Sequence, residues 1–223
     1  MSTAERLAAV RARVDDACRR AGRDPSEVKL IAVSKTHPAE RIVEAYEAGH
    51  RIYGESYAQE LRDKAPALPA DVQWHFIGRL QSNKLKYIAP HAHRVHALER
   101  LDHARTLARR APGPLKCLVP VNLAAEDTKG GVPAQRAIEV AAALHAVENI
   151  EIVGLMTLPP AVDDPADAGR WFAQLAELAA DGRRQGLPLH ELSMGMSHDF
   201  EVAIAHGATW VRVGTAIFGP RTR

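Results

Sequence analysis

Residues 28–55, VKLIAVSKTHPAERIVEAYEAGHRIYGE, decide the fold. LIAVSK (30–35), opened by Val28 and Lys29, is a short apolar run with the pattern of a buried strand. Pro38 then stands at a favourable first-turn position for a helix, and Gly49 closes that helix. RIYGE (51–55) resumes a strand pattern. The stretch is one strand–helix–strand unit. Its strands are apolar on both faces, as expected of a parallel sheet covered by helices.

The same alternation continues outward. Further strand-like segments are VQWHFIG (72–78), RVHAL (94–98), LKCLVPVNL (115–123), EIVGLMTL (151–158), LHELSMG (189–195) and WVRVGTAI (210–217). Helical patterns lie between them, at LDHARTLARRA (101–111), PAQRAIEVAAALHAV (133–147), PADAGRWFAQLAELAADGRR (165–184) and DFEVAIAHGA (199–208). A first helix precedes the alternation. Ser2 or Thr3 caps it, Glu5 lies in its first turn, Leu7, Val10, Val14 and Cys18 recur at helical spacing, and Gly22 ends it. Eight strand–helix alternations predict an α/β fold, a single (β/α)8 TIM barrel over residues 1–223 with an extra N-terminal helix. Pro112-Gly113-Pro114 and Pro159-Pro160 read as turns, not domain boundaries. A doubly wound open sheet is the alternative, and it would need fewer strands.

Composition agrees with one globular domain. Of the 223 residues, 46% are apolar and 25% charged, which excludes a mainly disordered chain. Lys plus Arg number 29 and Asp plus Glu 27, so a net charge of +2 gives no reason to expect a nucleic-acid or membrane-surface partner. The N-terminus has no apolar signal region, and no run approaches 18 apolar residues, so the expected location is cytoplasmic. Cys18 and Cys117 are not in a metal-ligand spacing, and two reduced, partly buried thiols are expected. The basic residues of the first helix alternate with acids and read as a solvated face. His91, His93 and His96 lack a carboxylate or cysteine that would complete a metal site.

In a barrel of this kind, chemistry sits at the C-terminal ends of the strands. Polar residues there are Lys35, Glu55 with Ser56, His75, Asn122, Thr157 beside Met156, Ser193, Ser197, Arg212 and Thr215. Lys35 is the most informative. An ammonium directly after a buried run is costly, and burial or a nearby cation would depress its pKa and make it a nucleophile toward carbonyls. A lysine snorkelling at a strand end is the plainer reading. Only seven lysines stand against 22 arginines.

Phosphate sites in barrels often form after the seventh and eighth strands. GMSHD (195–199) and RVGTAIFG (212–219) offer small residues, the Ser197 and Thr215 hydroxyls, and room for a helix N-terminus. Gly195 and Gly214 could instead merely make tight turns. A reactive lysine opposite a phosphate cradle fits a phosphorylated carbonyl compound, with pyridoxal 5′-phosphate (PLP) the candidate. Arg212 would then meet the ring nitrogen as a donor only, which weakens the cofactor as an electron sink.

VSKT (33–36), YGESYAQE (53–60), WHFIGRLQSNK (74–84), LSMGMSHD (192–199) and VRVGTAIFG (211–219) resemble the pyridoxal phosphate homeostasis proteins, the YggS/PROSC group. The resemblance runs across nearly the whole chain. It implies a fold-type III PLP barrel like the N-terminal domain of alanine racemase. It implies PLP held as an internal aldimine on Lys35, phosphate contacts from Ser197, Gly214 and Thr215, and a ring-nitrogen contact from Arg212. Asn122, Met156 and Met194 are implied pocket-lining positions. His75, Gly78, Gln81 and Asn83 belong to the signature block, and His75 with Asn83 is expected to order the loop after the third strand. Two residues depart from the family pattern: Ser56 where Asn is usual, and Arg79 where Pro is common.

Alanine racemase places a second base, a tyrosine, from a separate C-terminal domain. This chain stops four residues after Gly219, and of Tyr46, Tyr53, Tyr57 and Tyr87 only Tyr57 is expected near the mouth. The expectation is therefore a monomeric, non-catalytic PLP carrier acting in intracellular vitamin B6 homeostasis, with apo PLP enzymes as conceivable recipients. A slow amino-acid racemase and a Schiff-base enzyme acting on another phosphorylated aldehyde or ketone are the alternatives.

Overall fold

The computed structural model describes residues 1–124 and 130–220. Its strands are β1 (Lys29–Val33), β2 (Ile52–Glu55), β3 (Gln73–Phe76), β4 (Ala92–Val95), β5 (Leu115–Asn122), β6 (Val132–Pro133), β7 (Ile150–Met156), β8 (Glu191–Ser193) and β9 (Trp210–Val213). All pairings are parallel. β6 is a two-residue strand beside the end of β5, with Val121 opposite Val132. The other eight run β1-β2-β3-β4-β5-β7-β8-β9, and β9 pairs back to β1 with Lys29 opposite Trp210 and Ala32 opposite Val213. The sheet closes on itself, which makes the fold a TIM barrel and removes both sheet edges.

Helices cover the outside: α1 (Thr3–Arg20), α2 (Ala39–Glu47), α3 (Ala58–Lys64), α4 (Leu85–Ile88), α5 (Leu101–Ala108), α6 (Ala137–His145), α7 (Gly169–Arg184), α8 (Phe200–Ala205) and α9 (Thr215–Phe218). The first helix opens with a capping box, Glu5 N–H donating to Ser2 Oγ at 3.1 Å and Ser2 N–H to Glu5 Oε2 at 2.7 Å. Leu7, Val10, Val14 and Cys18 are all buried along one stripe. That stripe packs against α2, α8 and α9, so α1 lies on the side of the barrel. It takes the place in the outer ring that the single turn of α9 is too short to fill.

Several boundaries differ from the sequence expectation, two of them instructively. The fourth strand begins at Ala92, earlier than RVHAL suggests, and the last strand stops at Val213. TAIF (215–218) is a helical turn that buries Ile217 and Phe218, and four apolar residues are too few for periodicity to separate a strand from a turn of helix. Helices α3 and α4, seven and four residues long, give no readable period either.

The main core lies between the barrel wall and the helices, where Phe76, Leu107, Cys117, Phe172 and Phe200 are buried. Cys18 and Cys117 are both free and buried. The barrel lumen is different. Two small apolar clusters, Ile31–Val33–Trp210 and Ala97–Leu118–Met156, share it with buried polar side chains. Among the described residues no helix is long and apolar enough to cross a membrane.

Candidate functional site

A cleft of about 670 Å³, its open mouth included, lies at the C-terminal ends of the strands. Lys35, two residues past β1, lines one side with His37 and with Ser56 after β2. Ser197, Gly214 and Thr215 line the other side, and Arg212 on β9 lies deeper between them. Val33, Ile77, Leu158 and Met196 supply the apolar surface. Among the described residues no carboxylate lines this cleft.

Backbone geometry shapes the Ser197 and Thr215 wall. Gly195 has φ +89°, and a Cβ there would come within 2.6 Å of Ala203 Cβ and 2.9 Å of Phe200 Cα. It serves a tight turn, as the plainer sequence reading had it. Gly214 differs: its φ is ordinary at −115°, but a Cβ would stand 3.1 Å from the Val33 carbonyl oxygen. Its role is close approach between β9 and β1. The turn of α9 begins directly after it, so the first amides of that turn have no acceptor within the helix. Met196 N–H donates to Asp199 Oδ1 at 2.6 Å, which fixes the loop that carries Ser197.

Arg212 is 4% exposed. Its Nη1 donates to Ser193 Oγ at 2.6 Å and its Nη2 to the Thr157 carbonyl at 2.9 Å. Burial pulls its pKa down to about 10, with Asp199 working the other way, so it stays a cation at neutral pH. Ser193 Oγ shares a 2.8 Å hydrogen bond with His96 Nδ1, and His96 Nε2 is 3.0 Å from His75 Nδ1. Both histidines are fully buried, and burial drives both well below the usual histidine range, so they are neutral. His75 therefore points into the lumen against Trp210, with ring centroids 4.7 Å apart, and does not order the loop after β3. His93 instead accepts from the Trp74 N–H at 3.2 Å, so the HAHRVH histidines diverge.

The sequence candidates thus fall into three groups. Lys35, Ser197, Arg212, Gly214 and Thr215 converge on the cleft. Met156 lines an adjoining recess with Gly78, Arg79 and Glu99, which shares Ile77 and Leu158 with the main cleft. Asn122 ends β5 beside the short β6, and Met194 is wholly buried in the main core; neither lines the cleft. His37 was not singled out by sequence, although its place between Lys35 and the helix-starting Pro38 was a usable signal. None of the four tyrosines lines the cleft. Tyr57 is 53% exposed at the start of α3, and Tyr53 is buried with its hydroxyl donating to the His50 carbonyl at 3.2 Å.

Comparison with known proteins agrees with this architecture. The family model described as the alanine racemase N-terminal domain matches residues 6–222. The chain is 43% identical over 226 residues to the pyridoxal phosphate homeostasis protein of Aquifex aeolicus, covering 99% of both chains. The chain belongs to the pyridoxal phosphate homeostasis protein family. Another member of that family, from Pseudomonas aeruginosa, is 44% identical over 226 residues, covering 99% of this chain and 97% of its own. A solved structure of PipY from Synechococcus elongatus with PLP bound superposes with a TM-score of 0.85 at 38% identity, covering 98% of this chain and 100% of PipY.

Proposed function

We propose that this chain binds PLP in the cleft at the barrel mouth, with Lys35 joined to the aldehyde carbon, and that it serves PLP homeostasis by holding and releasing the cofactor. The observation that carries this reading is the convergence of Lys35, Arg212 and the Ser197–Gly214–Thr215 wall on one carboxylate-free cleft. That donor set fits an anionic, aromatic aldehyde: two cations, two hydroxyls and apolar side chains for the ring. The same kind of site is supported by membership in a family one of whose structural relatives, PipY, holds PLP.

When bound, PLP supplies an aldehyde that a lysine amine captures reversibly with loss of water. The rest is done by the chain's own residues. Ser197 and Thr215 donate their hydroxyls, and the first amides of α9 their N–H groups, to the phosphate. Arg212, itself held by Ser193 and Thr157, donates to the ring nitrogen and leaves it without a proton. Val33, Ile77 and Leu158 keep water from the ring.

A carrier role is supported over racemisation by the placement of the tyrosines. A racemase needs a second base opposite the lysine, and no tyrosine lines the cleft. The test is a titration of the purified protein with PLP, followed by visible absorbance and by exchange of amino-acid Cα protons. A visible band that Lys35→Ala loses, with no exchange above that of free PLP, is expected. Exchange well above free PLP would favour a slow racemase, and no band at all would overturn the site.

A further inference from the structure

Three ionisable side chains beside the Lys35 segment have no part in the reading above. Lys64, Glu60 and Glu55 are not part of the cleft lining, and they bond to the residues on either side of Lys35. We infer that they form a clamp that positions Lys35, so that helix α3 sets how the amine is presented to PLP. The inference rests on the proposed PLP site.

The geometry is specific to the two peptide groups that flank Lys35. Lys64 Nζ donates to the Ser34 carbonyl at 3.0 Å, which holds the peptide group before Lys35. Glu60 Oε2 accepts the Thr36 N–H at 2.8 Å, which holds the peptide group after it. Lys64 and Glu60 are four residues apart on one face of α3 and bond to each other at 2.6 Å. Glu55 Oε1, at the end of β2, accepts from Lys64 Nζ at 2.8 Å and from Ser34 Oγ at 2.7 Å. Lys64 thus spends all three ammonium donors, on Ser34, Glu55 and Glu60.

Two further features show that the segment is held and not merely resting. Thr36 has φ +66°, in the left-handed region that a β-branched residue rarely adopts. Such a conformation is strained and persists only where its surroundings fix it. Glu55 is fully buried, and its Oε2 has no hydrogen-bond partner among the described residues. A buried carboxylate left half satisfied is expensive, and its one evident role is to hold Lys64 and Ser34 in place.

The experiment uses the full-length chain, with Glu60→Ala, Glu60→Gln, Lys64→Met and a remote core variant, Leu107→Ala. PLP capture is followed by visible absorbance across pH, and the adduct is trapped with borohydride and mapped by mass spectrometry. The clamp predicts that E60A and K64M capture PLP about tenfold to hundredfold less well, as expected when a reacting group is misplaced by about 1 Å. It also predicts that E60Q, which keeps an acceptor for Thr36, stays near wild type, and that L107A loses thermal stability but keeps its capture. Capture by E60A equal to wild type, or a loss in L107A as large as in E60A, would overturn the clamp while leaving the PLP site intact. If K64M does not fold, E60A decides, because Glu60 is partly exposed and its loss leaves no buried charge unpaired. Wild type that gives no adduct on Lys35 would overturn the PLP site, and the clamp with it.

Discussion

Arg212 Nη1 lies 2.6 Å from Ser193 Oγ, and that contact ties the cleft to the buried middle of the barrel. Arginine has only donors, so Ser193 Oγ accepts from it and can donate its own O–H in a hydrogen bond to His96 Nδ1. His96 Nε2–H then donates to His75 Nδ1, and His75 Nε2, which has no partner among the described residues, is the inner end of the chain. The position of a cation at the site floor is therefore set by neutral groups inside the lumen.

Ser193→Ala breaks this chain at its centre. It strips Arg212 Nη1 and His96 Nδ1 of a buried partner, which costs about 1–3 kcal/mol. A urea midpoint lowered accordingly is expected, and an unchanged midpoint would count against the chain.

Ser197→Ala and Thr215→Val test the phosphate wall. In the proposed site each would remove one hydrogen bond to a charged group, worth about 1.5–3 kcal/mol, so each should weaken PLP binding roughly tenfold to a hundredfold. Pyridoxal, which lacks the phosphate, should bind both variants as it binds wild type. Equal losses for the two ligands would contradict the assignment.

Gly195→Ala tests the turn beneath that wall. The added Cβ combines a left-handed φ with contacts under 3 Å to Ala203 and Phe200. Destabilisation of about 1–3 kcal/mol by calorimetry and weaker PLP binding are expected. A fully stable variant would show that the loop has room the structure does not give it.

Buried histidines make the fold acid-sensitive. Burial, reinforced by Arg11, lowers His50 from 6.5 to about 4, and burial lowers His75 and His96 in the same direction. As pH falls, the unfolded chain binds these protons first, so stability present above about 6.5 is lost as pH drops toward 4. His50 alone accounts for about 3 kcal/mol over that window. Glu55 acts oppositely: burial raises it from 4.5 to about 7, so its contribution is complete below 4.5 and is lost as pH rises through 7. Three histidines outweigh one glutamate, and melting temperature should fall between pH 7 and pH 5. A constant or rising value would contradict the neutral histidines. His50→Gln should make the acid limb shallower.

Much of this was legible in the sequence, for identifiable reasons. Strand segments such as LIAVSK and LKCLVPVNL are apolar on both faces, and Pro38 and Gly49 punctuate a helix between strands, so the alternation shows. Lys35, Ser197, Arg212, Gly214 and Thr215 stand at strand ends within motif blocks. The lumen chain was not legible. His75, His96 and Ser193 are polar residues at alternate strand positions, a pattern that usually marks a solvated face, and only barrel closure shows that they point inward. Lys64 and Glu60 sit in AQELRDK, which reads as a charged surface helix. Their role appears only once α3 is seen against the segment that carries Lys35. The left-handed backbone of Thr36 leaves no mark in composition or period.

The most direct test of the central claim is to load the protein with PLP, reduce it with borohydride, and map the modified peptide by mass spectrometry. The account predicts one phosphopyridoxyl group on Lys35, and none in Lys35→Ala. An adduct on another lysine of the wild-type protein, or undiminished labelling in Lys35→Ala, would contradict it.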